Sequence, residues 1–220
     1  DDATNSTQLI FKTNTNTNKM EFNPDELDQK AIYKLISGAV IPRPIGWIST
    51  ISEDGINNLA PFSFFNVVGD DPPHVMFATA HSNQQKKDTL ANTLATGEFV
   101  VNLVTEDIVE AMNTTAQTVH ANIDEFELAG LTPVPSVKVS PPRVKESPVS
   151  FECRLVHHYS LEGHKYGGAT VVIGRVVMFH FDEKVLLDDY KINMENYKPV
   201  ARLAGSNYSK LGEIFAIKRQ

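Results

Sequence analysis

Residues 43–89 bring together three kinds of side chain that could act as one site: hydroxyls, aromatics and a lysine pair. Ser49 and Thr50 close an apolar run. Ala60, Pro61, Phe62, Ser63, Phe64, Phe65 and Asn66 follow the next turn, and Ser82 to Thr89, with Lys86 and Lys87 inside it, opens a helical pattern. Free backbone N–H groups and the helix dipole stabilise an anion at a helix N-terminus, so this grouping could hold a phosphate. Trp47, Phe62, Phe64 and Phe65 could line an apolar slot for a flat ring. The same residue types also serve cores and helix caps, and on residue chemistry alone that plainer reading is slightly the better one.

Other chemistry is not evident in the sequence. It has no G-x-G-x-x-G, Walker loop, H-E-x-x-H or G-x-S-x-G. The seven histidines, at 74, 81, 120, 157, 158, 164 and 180, show no ligand spacing, and no metal site is expected. His157 and His158 should point to opposite faces of a strand, and Cys153 should share a face with His157. With one cysteine, no disulfide can form within the chain. The net charge of −7 and pI near 5.5 argue against a nucleic-acid partner. No apolar run approaches the roughly 18 residues of a membrane span. No basic-then-apolar leader opens the sequence, and the expectation is a cytoplasmic protein.

Positioning these residues falls to a mostly β chain. Strands are expected at 45–51, 56–66, 74–80, 98–104, 149–158, 169–181 and 213–218. An Asp54-Gly55 turn closes the first hairpin, and Pro61 marks an edge or bulge in the second strand. Helices are expected at 84–96, ended by Gly97, from a Thr105 cap to about 116, and at 124–129, ended by Gly130. Residues 131–150, rich in proline, read as an extended excursion. Strands joined mainly through hairpins point to a closed or nearly closed antiparallel barrel with helical insertions. Residues 1–19, dominated by Asn and Thr, read as an appendage, either a disordered extension or an expression remnant. Residues 20–220 read as one domain.

Several segments together resemble one family. Arg43-Pro44-Ile45-Gly46-Trp47-Ile48-Ser49-Thr50 is similar to the opening motif of the flavin reductase-like, FMN-binding split-barrel proteins. Asn58-Leu59-Ala60-Pro61-Phe62-Ser63-Phe64-Phe65-Asn66, followed by Asp71-Pro72-Pro73, resembles the next block. Lys87-Asp88-Thr89 with Asn92, and Gly97-Glu98-Phe99-Val100-Val101-Asn102, resemble the one after. Asp124-Glu125-Phe126, Ala129-Gly130-Leu131-Thr132, the block from Glu146 to Cys153, and Arg202-Leu203 with Tyr208 continue the series. The blocks span roughly residues 22–210, and their order makes the match specific.

The resemblance implies an antiparallel, Greek-key-like split barrel, a homodimer, and FMN near the subunit interface. Trp47, Ser49, Thr50, Ala60, Pro61, Phe62, Ser63, Phe64 and Phe65 would approach the ring and ribityl chain. Ser82, Lys87 and Thr89 would hold the phosphate, with Lys86 an alternative to Lys87. Arg43 would serve flavin or dimer contacts, or a surface ion pair. Asn102 would touch flavin or satisfy buried backbone, and Arg202 and Tyr208 would close the site. His120 reads as a loop histidine. The leading expectation is an NAD(P)H:flavin oxidoreductase, with NADH or NADPH as donor, no catalytic side chain and a possible partner oxygenase. The alternatives are an FMN electron-transfer protein that does not oxidise NAD(P)H efficiently, and a flavin-free split-barrel binding protein.

Overall fold

The computed structural model describes residues 12–14, 19–80, 87–161, 163 and 168–218. In chain order its strands and helices are β1 (Lys12–Asn14), β2 (Lys19–Glu21), α1 (Gln29–Ala39), β3 (Gly46–Ile51), β4 (Asn57–Phe62), β5 (Phe65–Asp70), β6 (Pro73–Ala80), α2 (Asp88–Thr96), β7 (Glu98–Leu103), α3 (Val109–Thr114) and α4 (Glu125–Ala129). There follow β8 (Pro133–Val134), β9 (Arg143–Val144), β10 (Val149–Leu161), β11 (Ala169–Phe181), α5 (Met194–Tyr197), β12 (Val200–Arg202) and β13 (Tyr208–Lys210).

Seven strands form one antiparallel sheet in the order β4-β3-β7-β10-β11-β6-β5. The two outer strands, β4 and β5, are joined by only Ser63 and Phe64. Two residues span a few ångströms, so the sheet must curl until its edges meet, which makes it a barrel split along one seam. The expected near-closed antiparallel barrel is therefore the observed one. The single strand expected at 56–66 is two strands, because the chain leaves one edge at Phe62 and enters the other at Phe65.

Alternation along β3 divides the interior into two cores. Ile48 packs inside the barrel with Phe65, Phe77, Phe99, Val101, Cys153 and Val172, and Leu90 of α2 joins them. Gly46 is needed here: a Cβ at this position would lie 2.6 Å from the Phe65 ring. Ile45 and Trp47 face outward into a second core with Leu59, Met112 and Phe126, under α3 and α4.

Other expectations shift in detail. Thr105 makes no capping bond, and the helix expected from 105 to 116 is a 3₁₀ turn at Glu106–Ile108 followed by α3. The tail strand is β13, paired with β12, and residues 211–218 form none. Helix α1 was not anticipated; Asp28 caps it through the Ala31 N–H at 2.7 Å. The proline-rich excursion carries the short β8–β9 pair. Lys12–Asn14 pairs with Lys19–Glu21, across the boundary drawn at residue 19.

Register irregularities in β10 also bear on one parity argument, the shared face of Cys153 and His157. Shifts fall between Glu152 and Cys153 and between Leu155 and His157. Cys153 is buried inside the barrel, where burial pushes its thiol far above the usual range, while His157 is exposed. His157 and His158 pair with consecutive residues, Ile173 and Val172, with no shift between them, and their ring centroids lie 6.4 Å apart.

Candidate functional site

The site forms along the free edge of β4. In an antiparallel strand each residue's N–H and C=O point to the same side. The Leu59 N–H points away from β3, to the Glu125 carboxylate at 3.0 Å. Pro61, two residues on, also faces the free edge, and it has no N–H to leave unsatisfied. A recess opens there, bounded by Asn58, Ala60, Pro61 and Phe62 of β4, by Lys87, Asp88 and Thr89 at the start of α2, and by residues 115–119 and Glu125.

Lys87 is the N-cap residue of α2, in extended conformation, and its own side chain makes no capping bond. Lys87 O accepts from the N–H groups of Leu90 and Ala91. The earlier first-turn amides, those of Asp88 and Thr89, precede any possible intrahelical acceptor. The recess thus joins a lysine and a helix N-terminus to the apolar strip of Ala60, Pro61 and Phe62.

A second recess shares Pro61 and Ala116 with the first and continues past Ser63, Tyr33, Asn113, Arg202 and Tyr208. Arg202 lies over the Tyr208 ring at 4.5 Å, and the Tyr208 hydroxyl bonds Asn113 Oδ1 at 3.2 Å. The two recesses meet at Pro61 and Ala116 and together make a groove along the β4 edge.

Of the residues read from sequence, Ala60, Pro61, Phe62, Ser63, Lys87 and Thr89 line this groove. Thr89 is 2% exposed, and its hydroxyl donates to Asn58 Oδ1 at 2.7 Å. Thr50 is buried one layer behind, accepting from Asn92 and donating to Asn58. Trp47 and Ser49 do not reach the groove. The Trp47 indole N–H donates to Thr115 Oγ1 at 2.8 Å, and Ser49 Oγ donates to Pro142 O. Phe65 lies in the barrel core, and Phe64 is partly exposed with the Arg43 guanidinium 6.0 Å above it. Ser82 and Lys86 lie outside the described residues. His120 bonds Asn122 and does not line the groove.

Arg43 has a different part from those expected of it. It is buried and donates to three main-chain carbonyls, those of Ser37, Val40 and Leu203, and to Ser63 Oγ. It ties the end of α1 and the C-terminal segment to the seam. Asn102 is also internal, bonding Trp47 O, Ser49, Val144 N–H and Ser150.

Sequence reasoning gave Asn58 and Glu125 no role of their own. Glu125 is 5% exposed and accepts from the Asn58 side chain and the Leu59 N–H. Burial raises its pKa, against the opposing effect of those hydrogen bonds, and nearby Asp88 adds to the rise. The available signal was its place in the Asp124-Glu125-Phe126 block. A carboxylate beside an N-cap aspartate otherwise reads as an exposed first-turn residue.

The model of the flavin reductase like domain matches residues 37–198. That stretch holds the whole barrel sheet and the groove's β4 and α2 walls. The chain belongs to the flavin reductase like family. An Aquifex aeolicus relative is 44% identical over 192 residues, covering 87% of this chain and 95% of its own. Nitrilotriacetate monooxygenase component B from Bacillus cereus is 40% identical with a TM-score of 0.87, covering 90% of this chain and 98% of its own. The 2-nitrobenzoate 2-nitroreductase NbaA of Pseudomonas fluorescens is 30% identical with a TM-score of 0.80, over 91% and 96% of the two chains. A Shewanella frigidimarina structure described by its split barrel domain, 24% identical with a TM-score of 0.79 over 92% and 100%, bears on the fold. This family member shares that split barrel, and its groove runs along the β4 edge.

Proposed function

We propose that the groove holds FMN and that the protein is an NAD(P)H:FMN oxidoreductase. The observation that carries this reading is the lysine-bearing N-terminus of α2 on the same edge as the Ala60–Phe62 strip. Those donors suit a phosphate and that strip suits a flat ring, so the residues present fit the group. Lys87 and the Asp88 and Thr89 amides would hold the phosphate. Ala60, Pro61 and Phe62 would flank the ring, and Ser63, Arg202 and Tyr208 would line the groove beyond it. FMN, when bound, supplies the redox chemistry, accepting hydride and passing electrons on. The chain's own work is to bind, orient and exclude water, which needs no acid or base among its side chains. The Bacillus cereus relative is named as a monooxygenase component, which supports an oxygenase partner as the acceptor.

Anaerobic addition of NADH or NADPH to the FMN-loaded protein is expected to bleach the oxidised flavin band with at least one of the two. A band unchanged by both overturns the reductase reading and leaves the electron-transfer alternative.

The same reading includes a homodimer. Tyr33, Leu35, Ile36, Val40 and Ile41 of the α1 region, and Ile214, Phe215 and Ile217 of the tail, are exposed in the single chain, and exposed apolar surface of this kind favours association. Light scattering should give about twice the 24.4 kDa chain mass. A mass equal to one chain would refute the dimer.

A further inference from the structure

A chain of hydrogen bonds links α4 to the mouth of α2 through β4. Glu125 Oε2 accepts the Leu59 N–H at 3.0 Å, and Oε1 accepts Asn58 Nδ2 at 3.0 Å. Asn58 Oδ1 then accepts two hydroxyls, Thr89 Oγ1 at 2.7 Å and Thr50 Oγ1 at 3.3 Å. Thr50 in turn accepts Asn92 Nδ2 at 3.1 Å. Asn58 is 8% exposed, and the Thr50 and Thr89 side chains are buried. With the Glu125 carboxyl ionised, every link has a fixed direction. An ionised carboxylate only accepts, so the Asn58 amide nitrogen must face Glu125. Its oxygen must then face the two threonines, and both hydroxyls must donate.

From this, and resting on the FMN reading above, we infer that Glu125 is a positioning residue for the phosphate end of the groove: it fixes the Asn58 amide, which anchors the first turn of α2. Thr89 occupies the second position of that turn. Its hydroxyl is committed to Asn58, so it serves the phosphate by holding the turn in place and not by donating a side-chain bond. Lys87 and the first residues of the turn are thereby held at the wall of the recess. The neighbouring pair, Asn57 with Asp124 at 2.9 Å, secures α4 to the same strand without touching α2.

The direction of the chain can be reversed and restored. In Glu125→Gln, the new amide donates where the carboxylate accepted, and Asn58 turns over to accept from it. The Asn58 nitrogen then faces both threonines, and the Thr50 hydroxyl hydrogen loses its acceptor inside the protein. In Asn58→Asp, two carboxylates face each other. In the double variant Glu125→Gln with Asn58→Asp, the amide introduced at position 125 donates to the carboxylate introduced at position 58, which again accepts from both hydroxyls.

The test is the ratio of FMN to riboflavin affinity, measured by fluorescence titration of the apoprotein, since the two ligands differ only in the phosphate. Each single variant should weaken FMN about tenfold relative to riboflavin, the scale of one disturbed buried hydrogen bond. The double variant should return the ratio to within about threefold of wild type. Asp124→Asn, which removes a neighbouring charge but keeps the cap, should leave the ratio alone. Single variants with an unchanged ratio, or a double variant that fails to recover, would overturn the positioning role while leaving the flavin reading intact. Wild-type protein with no preference for FMN over riboflavin would overturn both.

Discussion

Asn102→Ala is expected to lower the unfolding free energy by about 4 kcal/mol, the largest stability loss expected of any variant considered for this protein. Asn102 is fully buried and makes four bonds with four separate partners. Its Nδ2 donates to Trp47 O at 3.1 Å and Ser49 Oγ at 3.2 Å. Its Oδ1 accepts the Val144 N–H and the Ser150 hydroxyl, both at 2.9 Å. Truncation strands the Val144 amide and the Ser150 hydroxyl in the core, each worth roughly 1–3 kcal/mol when left unpaired. Trp47 O loses a donor as well. Urea unfolding measures the loss. The same variant separates the two parts that the sequence allowed for Asn102. If it satisfies buried backbone, the folded protein should bind FMN within about twofold of wild type. Preserved stability with lost FMN binding would instead make it a flavin ligand.

The Asn102 knot also shows which part of the site was legible beforehand. Ser49 and Thr50 are adjacent hydroxyls at the end of one strand, and the sequence gives no reason to separate them. The pleat does: Thr50 faces α2 and Asn58, while Ser49 faces Pro142 and Asn102. Assigning the faces requires knowing which side of β3 the helices cover, and that depends on α3 and α4, some 60 residues later. Trp47 was misplaced for the same reason, because its indole N–H is satisfied by Thr115 and not by a ligand.

Pro61 was the most informative single residue. A proline within an apolar, β-prone run predicts a strand edge, and β4 is the edge at which the groove opens. The barrel itself was readable because each strand carries its own local pattern and turn. Its closure was not, because the decisive fact, that β4 and β5 are opposite edges joined by two residues, is a property of strand order. Glu125 was hidden by chemistry: from sequence a glutamate in a first helical turn is solvated, and only the approach of Leu59 and Asn58 makes it buried. Arg43 was hidden likewise, since its partners are carbonyls of residues 37, 40 and 203, invisible to any argument about ion pairs.

Lys87→Ala is expected to weaken FMN binding by about 10- to 100-fold, the largest functional effect, and to leave riboflavin binding within about threefold. Among the described residues, Lys87 is the cation that lines the recess, and two carboxylates, Asp88 and Glu125, line it too. Removing the ammonium therefore does more than delete one charge-assisted bond. It leaves a phosphate facing two acidic side chains, with the helix N-terminus, worth up to about 1 kcal/mol at an exposed site, in opposition. The fold should be unaffected, because Lys87 makes no side-chain capping bond and is exposed. Ionic strength gives a second, independent readout. An attraction between Lys87 and a phosphate at the protein surface is screened by salt, so wild-type FMN affinity should fall as salt rises, whereas in Lys87→Ala the slope should flatten or reverse. Lys87→Arg keeps the charge and should retain most of the affinity. An alanine variant that binds FMN as wild type does, with the same salt slope, would remove the phosphate from the α2 terminus and place it elsewhere along the groove.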